Sequence, residues 1–156
     1  MALSVVLVGC QSFDTNAPAD WVMKGRVVVK TAQSSQRLSV FWRQNQNDFE
    51  ILLSGTLGTS VARLVSEQGV HYVDLPGKPR QYSDSVESLL FDTTGLNLPV
   101  RALLPVLSGE VKDGVFDGWQ VSIQAFDEQN RPQRLVVHEL ALGASIEIRL
   151  TVTEWL

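Results

Sequence analysis

At 156 residues the chain suffices for one domain that buries about two thirds of its unfolded surface, so folding requires neither metal nor cross-link. A lone cysteine excludes an internal disulfide, and 17 Asp and Glu against 13 Lys and Arg, with no basic run, argue against nucleic acid as a partner. Apolar residues make up 44% and charged residues 19%, against about 25% charged in an average soluble domain, so apolar surface must be covered somewhere in the fold.

Residues 1–9 are apolar and uncharged and lead into Leu7-Val8-Gly9-Cys10, which resembles a bacterial lipoprotein processing site. On that reading residues 1–9 are a residual signal peptide, cut after Gly9, and Cys10 is acylated. The apolar run is far shorter than the roughly 20 residues of a membrane span. No Lys or Arg precedes Lys24, which means either a truncated or misassigned start or a chance apolar start carrying a buried or inert thiol. Gln11 follows the cysteine; in such lipoproteins an aspartate there goes with retention at the inner membrane, so the resemblance implies the outer membrane. Residues 10–20 are small, polar and Pro-containing, the composition of a lipid-anchored tether.

Residues 21–156 form the single folded domain. Its first strand starts at Trp21 and contains Gly25, where a bulge or a close backbone approach is expected. Period-two alternation then places Leu38, Val40 and Trp42 on one face, followed by Phe49, Ile51 and Leu53. The loop at 55–58 carries an aliphatic residue, Leu57, at its crown. Leu57 either folds back as a cap or protrudes as an apolar tip.

In the middle of the domain, Ser83 or Asp84 can cap a helix, with Glu87 completing a capping box from Asp84. Val86, Leu89 and Leu90 share its inner face, and Gly95 ends it. A second helix starts near Pro99, carries Val100, Leu103 and Leu104 as a stripe, and is limited or kinked by Pro105 before Gly109. Alternation resumes with Trp119, Val121 and Ile123, and again with Ile146, Ile148, Leu150 and Val152. The breaks between strands are too short for crossover helices, so neighbours pair as antiparallel hairpins, eight to eleven strands in all.

Catalytic chemistry finds no purchase in this pattern. His71 and His138 sit in strands without ligand-spaced partners, and no nucleophile elbow is present. The loop at 55–60 lacks the lysine and spacing of a phosphate-binding sequence. No catalytic residue, metal or cofactor is expected, and the chain is read as a non-enzyme.

Several segments together resemble the LolB family of outer-membrane lipoprotein receptors. They are the string ending at Cys10, Trp-x-x-x-Gly-Arg at 21–26, the strand at 38–42, Phe-x-Ile-x-Leu with its Leu-Gly hairpin at 49–58, the Gly-x-x-Leu-Pro helix at 95–109, the Gly-Trp strand at 118–119 and a terminal strand ending in Trp155. The resemblance implies a mainly β (α+β) fold, an incomplete antiparallel β-barrel of about eleven strands wrapped over short lid or plug helices around a hydrophobic cavity. It further implies a receptor that takes lipoproteins from the periplasmic carrier LolA by direct hand-over of acyl chains and inserts them into the outer membrane.

On this resemblance Cys10 is the lipidated residue and Leu57 the loop leucine needed for insertion. The expected partners are a LolA-like carrier, cargo acyl chains and outer-membrane lipid, met by a monomer on the periplasmic face. Cavity-lining candidates are the strand residues Leu38, Val40, Trp42, Phe49, Ile51, Leu53, Trp119, Val121, Ile123, Ile146, Ile148 and Leu150, with the helix residues Val86, Leu89, Leu90, Val100, Leu103 and Leu104. Two departures stand out. About ten residues separate Cys10 from Trp21, short for the helix family members place there, and Val106 stands where relatives tend to carry an aromatic. A carrier or sensor of a small diffusible lipid, or a structural envelope lipoprotein with a filled core, would share much of this pattern.

Overall fold

Period-two segments broken by short polar turns become a meander, and the computed structural model, which describes residues 19–55, 60–141, 143 and 145–156, has ten strands and two helices among them. In chain order they are β1 (Trp21–Lys30), β2 (Ser35–Asn45), β3 (Asp48–Ser54), β4 (Ser60–Glu67), β5 (Val70–Asp74), β6 (Gln81–Ser83), α1 (Val86–Thr94), α2 (Val100–Leu107), β7 (Gly114–Phe116), β8 (Trp119–Phe126), β9 (Pro132–Glu139) and β10 (Glu147–Trp155). The ten strands lie in one antiparallel sheet of order β6-β5-β4-β3-β2-β1-β10-β9-β8-β7.

Two meanders, β1 to β6 and β7 to β10, are joined by a single pairing, that of the first strand with the last. The outermost strands, β6 and β7, flank the helices in sequence. The helical segment must therefore travel from one edge of the sheet to the other, and it does: α1 lies against β4, β5 and β6, and α2 against β7 and β8. The sheet is not closed. It curls toward the helices, which bridge its two free edges.

Gly25 marks the sharpest irregularity in that curl. The β1–β10 register shifts between Lys24 and Gly25, and a Cβ at Gly25 would stand 2.4 Å from the Thr151 carbonyl oxygen. Only a residue without a side chain lets the two backbones approach so closely.

Alternation sets the two faces of the sheet. Val27, Val40, Ile51, Leu64, Val121 and Ile148 are buried on the inner face, while Lys24, Arg26, Ser39, Arg134 and Arg149 are exposed on the outer. Each fully buried aliphatic side chain contributes about 1.5 to 3 kcal/mol. The inner-face cluster continues without a break into Leu90, Val100, Leu103 and Val106 of the helices.

Candidate functional site

The curled sheet and the helix pair enclose an apolar interior. Among the strand candidates, Val40, Trp42, Phe49, Ile51, Leu53, Trp119, Val121, Ile148 and Leu150 are buried there. Leu38, Ile123 and Ile146 are only partly buried and pack against the edge of the same cluster. All but Ile146, which stands one residue before β10, lie in strands; how deep a residue lies depends on which neighbours cover the strand at that point, and that is a long-range property.

The helices follow the same rule with one difference. Val86, Leu89, Leu90, Val100 and Leu103 are buried, while Leu104 is half-buried. Ala102, Val106 and Leu107 are buried instead, and so are Leu96 and Leu98 between the helices. A stripe drawn from Val100 misses Ala102 and Val106, because α2 is covered on more than the width of one stripe. Their apolar character was the available signal. Pro105 stands inside α2, which runs on to Leu107 before Gly109 turns at φ 75°.

The cap of α1 differs from the expected one. Ser85, not Ser83 or Asp84, is the N-cap, and its Oγ accepts the Ser88 N–H at 3.3 Å. Ser83 closes β6, and its Oγ accepts the Ser85 N–H at 3.2 Å, which delays the helix. Glu87 is thereby released from a capping box. Its Oε1 accepts both the Arg101 backbone N–H at 2.9 Å and Arg101 Nε at 3.2 Å, tying the first turns of the two helices together. Gly95, at φ 74°, ends α1 as expected, its N–H donating to the Phe91 carbonyl.

One end of the interior is stoppered by aromatic rings. Trp21 lies 5.6 Å from Trp42 and 5.7 Å from Trp155 between centroids, and Trp42 lies 6.2 Å from Phe49. Each indole N–H has a partner: Trp42 donates to Gln44 Oε1, Trp155 to the Pro132 carbonyl, and Trp21 to Ser108 Oγ just past α2. The Trp21 bond pins the end of α2 to the first strand. These rings sit at the end that carries the turns at 46–47 and 68–69. The opposite end carries the connection at 31–34 and the paired ends of β3 and β4 at Ser54 and Ser60.

Cys10 and Leu57 lie outside the described residues. The strands flanking Leu57 are placed: Ser54 and Ser60 pair, with a register shift between Leu53 and Ser54. His71 lies in β5 and His138 in β9. Among the described residues no helix is long and apolar enough to cross a membrane.

Comparison with known proteins gives a consistent result. The family model described as "Outer membrane lipoprotein LolB" matches residues 19–116. The outer-membrane lipoprotein LolB of Pseudomonas aeruginosa PAO1 is 30% identical, over 86% of this chain and 73% of that protein. Its counterpart in Pseudomonas putida F1 is 31% identical over the same shares. In fold, the chain is similar to a LolA-superfamily protein from Nitrosomonas europaea, with a TM-score of 0.57 at 8% identity, covering 86% of this chain and 84% of that one.

Proposed function

The chain belongs to the LolB family of outer-membrane lipoproteins, and from that membership we propose that it accepts lipoproteins from a LolA-like periplasmic carrier by direct hand-over of acyl chains and inserts them into the outer membrane. The observation that supports this most is the topology: a sheet with two free edges, an apolar inner face, and a helical segment strung between those edges.

Direct transfer follows from magnitudes. At about 0.8 kcal/mol per methylene, exposing an acyl chain of some sixteen carbons to water costs on the order of 12 kcal/mol. A cargo released into solution between carriers would cross that barrier on every trip. Contact between two apolar interiors avoids it, and a difference in affinity gives direction without nucleotide.

Space for the acyl chains lies between the inner sheet face and the helix pair. In this structure Leu90, Val100, Leu103 and Val106 occupy it. The helices rest against the outer strands on each side, so a shift of the helix pair opens the interior while the central strands β3, β2, β1 and β10 keep their pairing. Pinned by Trp21 and Ser108 at the aromatic end, the pair opens at the other end, the one where Ser54 ends β3 and Ser60 begins β4. Cargo enters there.

Two residues divide the membrane work. An acylated Cys10 tethers the chain to the outer membrane, and Leu57 enters the bilayer during delivery. Full burial of one leucine gains about 1.5 to 3 kcal/mol, too little to anchor a protein and enough to bias a local insertion. Leu57→Glu is expected to draw cargo from the loaded carrier normally and to leave it undeposited. Normal deposition by that variant, measured as cargo recovered in the outer-membrane fraction, contradicts the role of Leu57.

A further inference from the structure

We propose that the outer face of β9, β10, β1 and β2 is a second membrane-contact surface, one that seats on the phosphate headgroups of an anionic phospholipid bilayer. The chain has a net charge of −4, yet Lys24, Arg26, Lys30, Arg37, Arg134 and Arg149 all project from this face. Only two carboxylates share it, Glu147 and Glu154. Glu147 is taken up by Arg149, and Glu154 stands 3.9 Å from Lys24. Among the described residues Arg26, Arg37 and Arg134 make no ion pair, and all three are exposed.

The register gathers these cations. Arg134 faces Thr151, Thr151 faces Arg26, Arg26 faces Ser39, and Ser39 faces Ser54 in one row across five strands. In the next row Arg149 faces Val28, and Val28 faces Arg37. Two shallow grooves follow these rows. One, of about 590 Å³, has Phe41 and Leu52 along its floor, with Lys24, Arg26, Ser39, Ser54 and Thr153 around them. The other, of about 470 Å³, lies between Arg26, Val28, Arg37, Arg149 and Thr151. Cations and hydroxyls around an apolar floor suit a phosphate whose glycerol and upper acyl carbons lie beneath it.

Position identifies the occupant as a bilayer. The row containing Arg26 ends at Ser54, the last residue of β3 and the root of the loop that carries Leu57. Two strand spacings, about 10 Å, separate Arg26 from that root, no more than a Debye length at moderate salt. A membrane reached by the loop is therefore within electrostatic reach of the cations, which would hold the sheet at headgroup level while the loop enters.

This surface rests on the reading that the chain works at a bilayer, and it is tested apart from cargo transfer. The full chain carrying Cys10→Ala, and so lacking its anchor, is mixed with vesicles of phosphatidylcholine alone or of phosphatidylcholine with phosphatidylglycerol, and the bound fraction is measured by flotation. Preferential binding to the mixed vesicles, weakened by added salt, is expected. Arg26→Gln with Arg37→Gln lowers that binding by about fivefold for each cation removed, while Lys112→Gln, exposed and away from this face, leaves it unchanged. Equal binding to both vesicle types overturns the proposal, as does a double variant that binds like its parent. A Lys112→Gln loss as large as the double variant's also overturns it, since net charge alone then accounts for binding. If the double variant keeps vesicle binding but draws no cargo from the loaded carrier, the face belongs to the carrier and the proposal falls. Vesicle binding by a parent chain that accepts no cargo upholds the surface and counts against the transfer function instead.

Discussion

Gly25 shows how much of the curl depends on one missing side chain. A Cβ there would meet the Thr151 carbonyl oxygen at 2.4 Å, and that oxygen is backbone held in the β1–β10 ladder, unable to swing aside. Gly25→Ala is expected to cost about 2 kcal/mol, lowering the thermal midpoint by about 4 to 8 °C for a domain of this size. A midpoint unchanged within error would mean that β10 yields there freely. Asp74 gives a second residue-scale prediction. Hydrogen bonding from Arg80 holds its carboxyl below the usual carboxylate range, with Arg63 adding to the effect against partial burial. A carboxyl whose folded pKa is depressed contributes stability above its unfolded value, near 3.9, and loses it as pH falls through the lower folded value. Asp74→Asn is thus expected to flatten the acid limb of the stability profile below about pH 4 and to leave its slope near pH 7 unaltered, as read by urea unfolding across pH.

At the level of elements, the strands were legible because alternation is local: Phe49, Ile51 and Leu53 announce their shared face without reference to anything distant. The start of α1 was not. Ser83, Asp84 and Ser85 are all capable caps, and the choice is made by where β6 ends, which depends on pairing with β5. Nor could one stripe describe α2, because the sheet wraps it widely enough to bury Ala102 and Val106. That burial makes α2 the element whose truncation is most informative. Leu103→Ala is expected to cost about 3 kcal/mol in stability, and the space it leaves should raise the uptake of a fluorescent apolar probe. A loss of stability with no gain in probe binding would place the acyl site somewhere other than between α2 and the sheet.

For the whole molecule, the decisive contacts join distant parts of the chain. The pairing of β1 with β10 turns two meanders into one sheet, and no local pattern announces it. The cations of the outer face illustrate the same limit: Lys24, Arg26, Arg37, Arg134 and Arg149 form no run in sequence, and only the register brings them together. The apolar interior, in contrast, was readable, because every strand contributes to it by the same alternation. Family membership and topology converge on a receptor for acylated cargo. The most direct test mixes the unacylated full chain with a LolA-like carrier already loaded with lipoprotein, without nucleotide, and asks which protein holds the cargo after separation. Cargo is expected to move to this chain. Cargo that stays on the carrier while this chain readily binds a free fatty acid would contradict it and mark the protein as a carrier of small lipids.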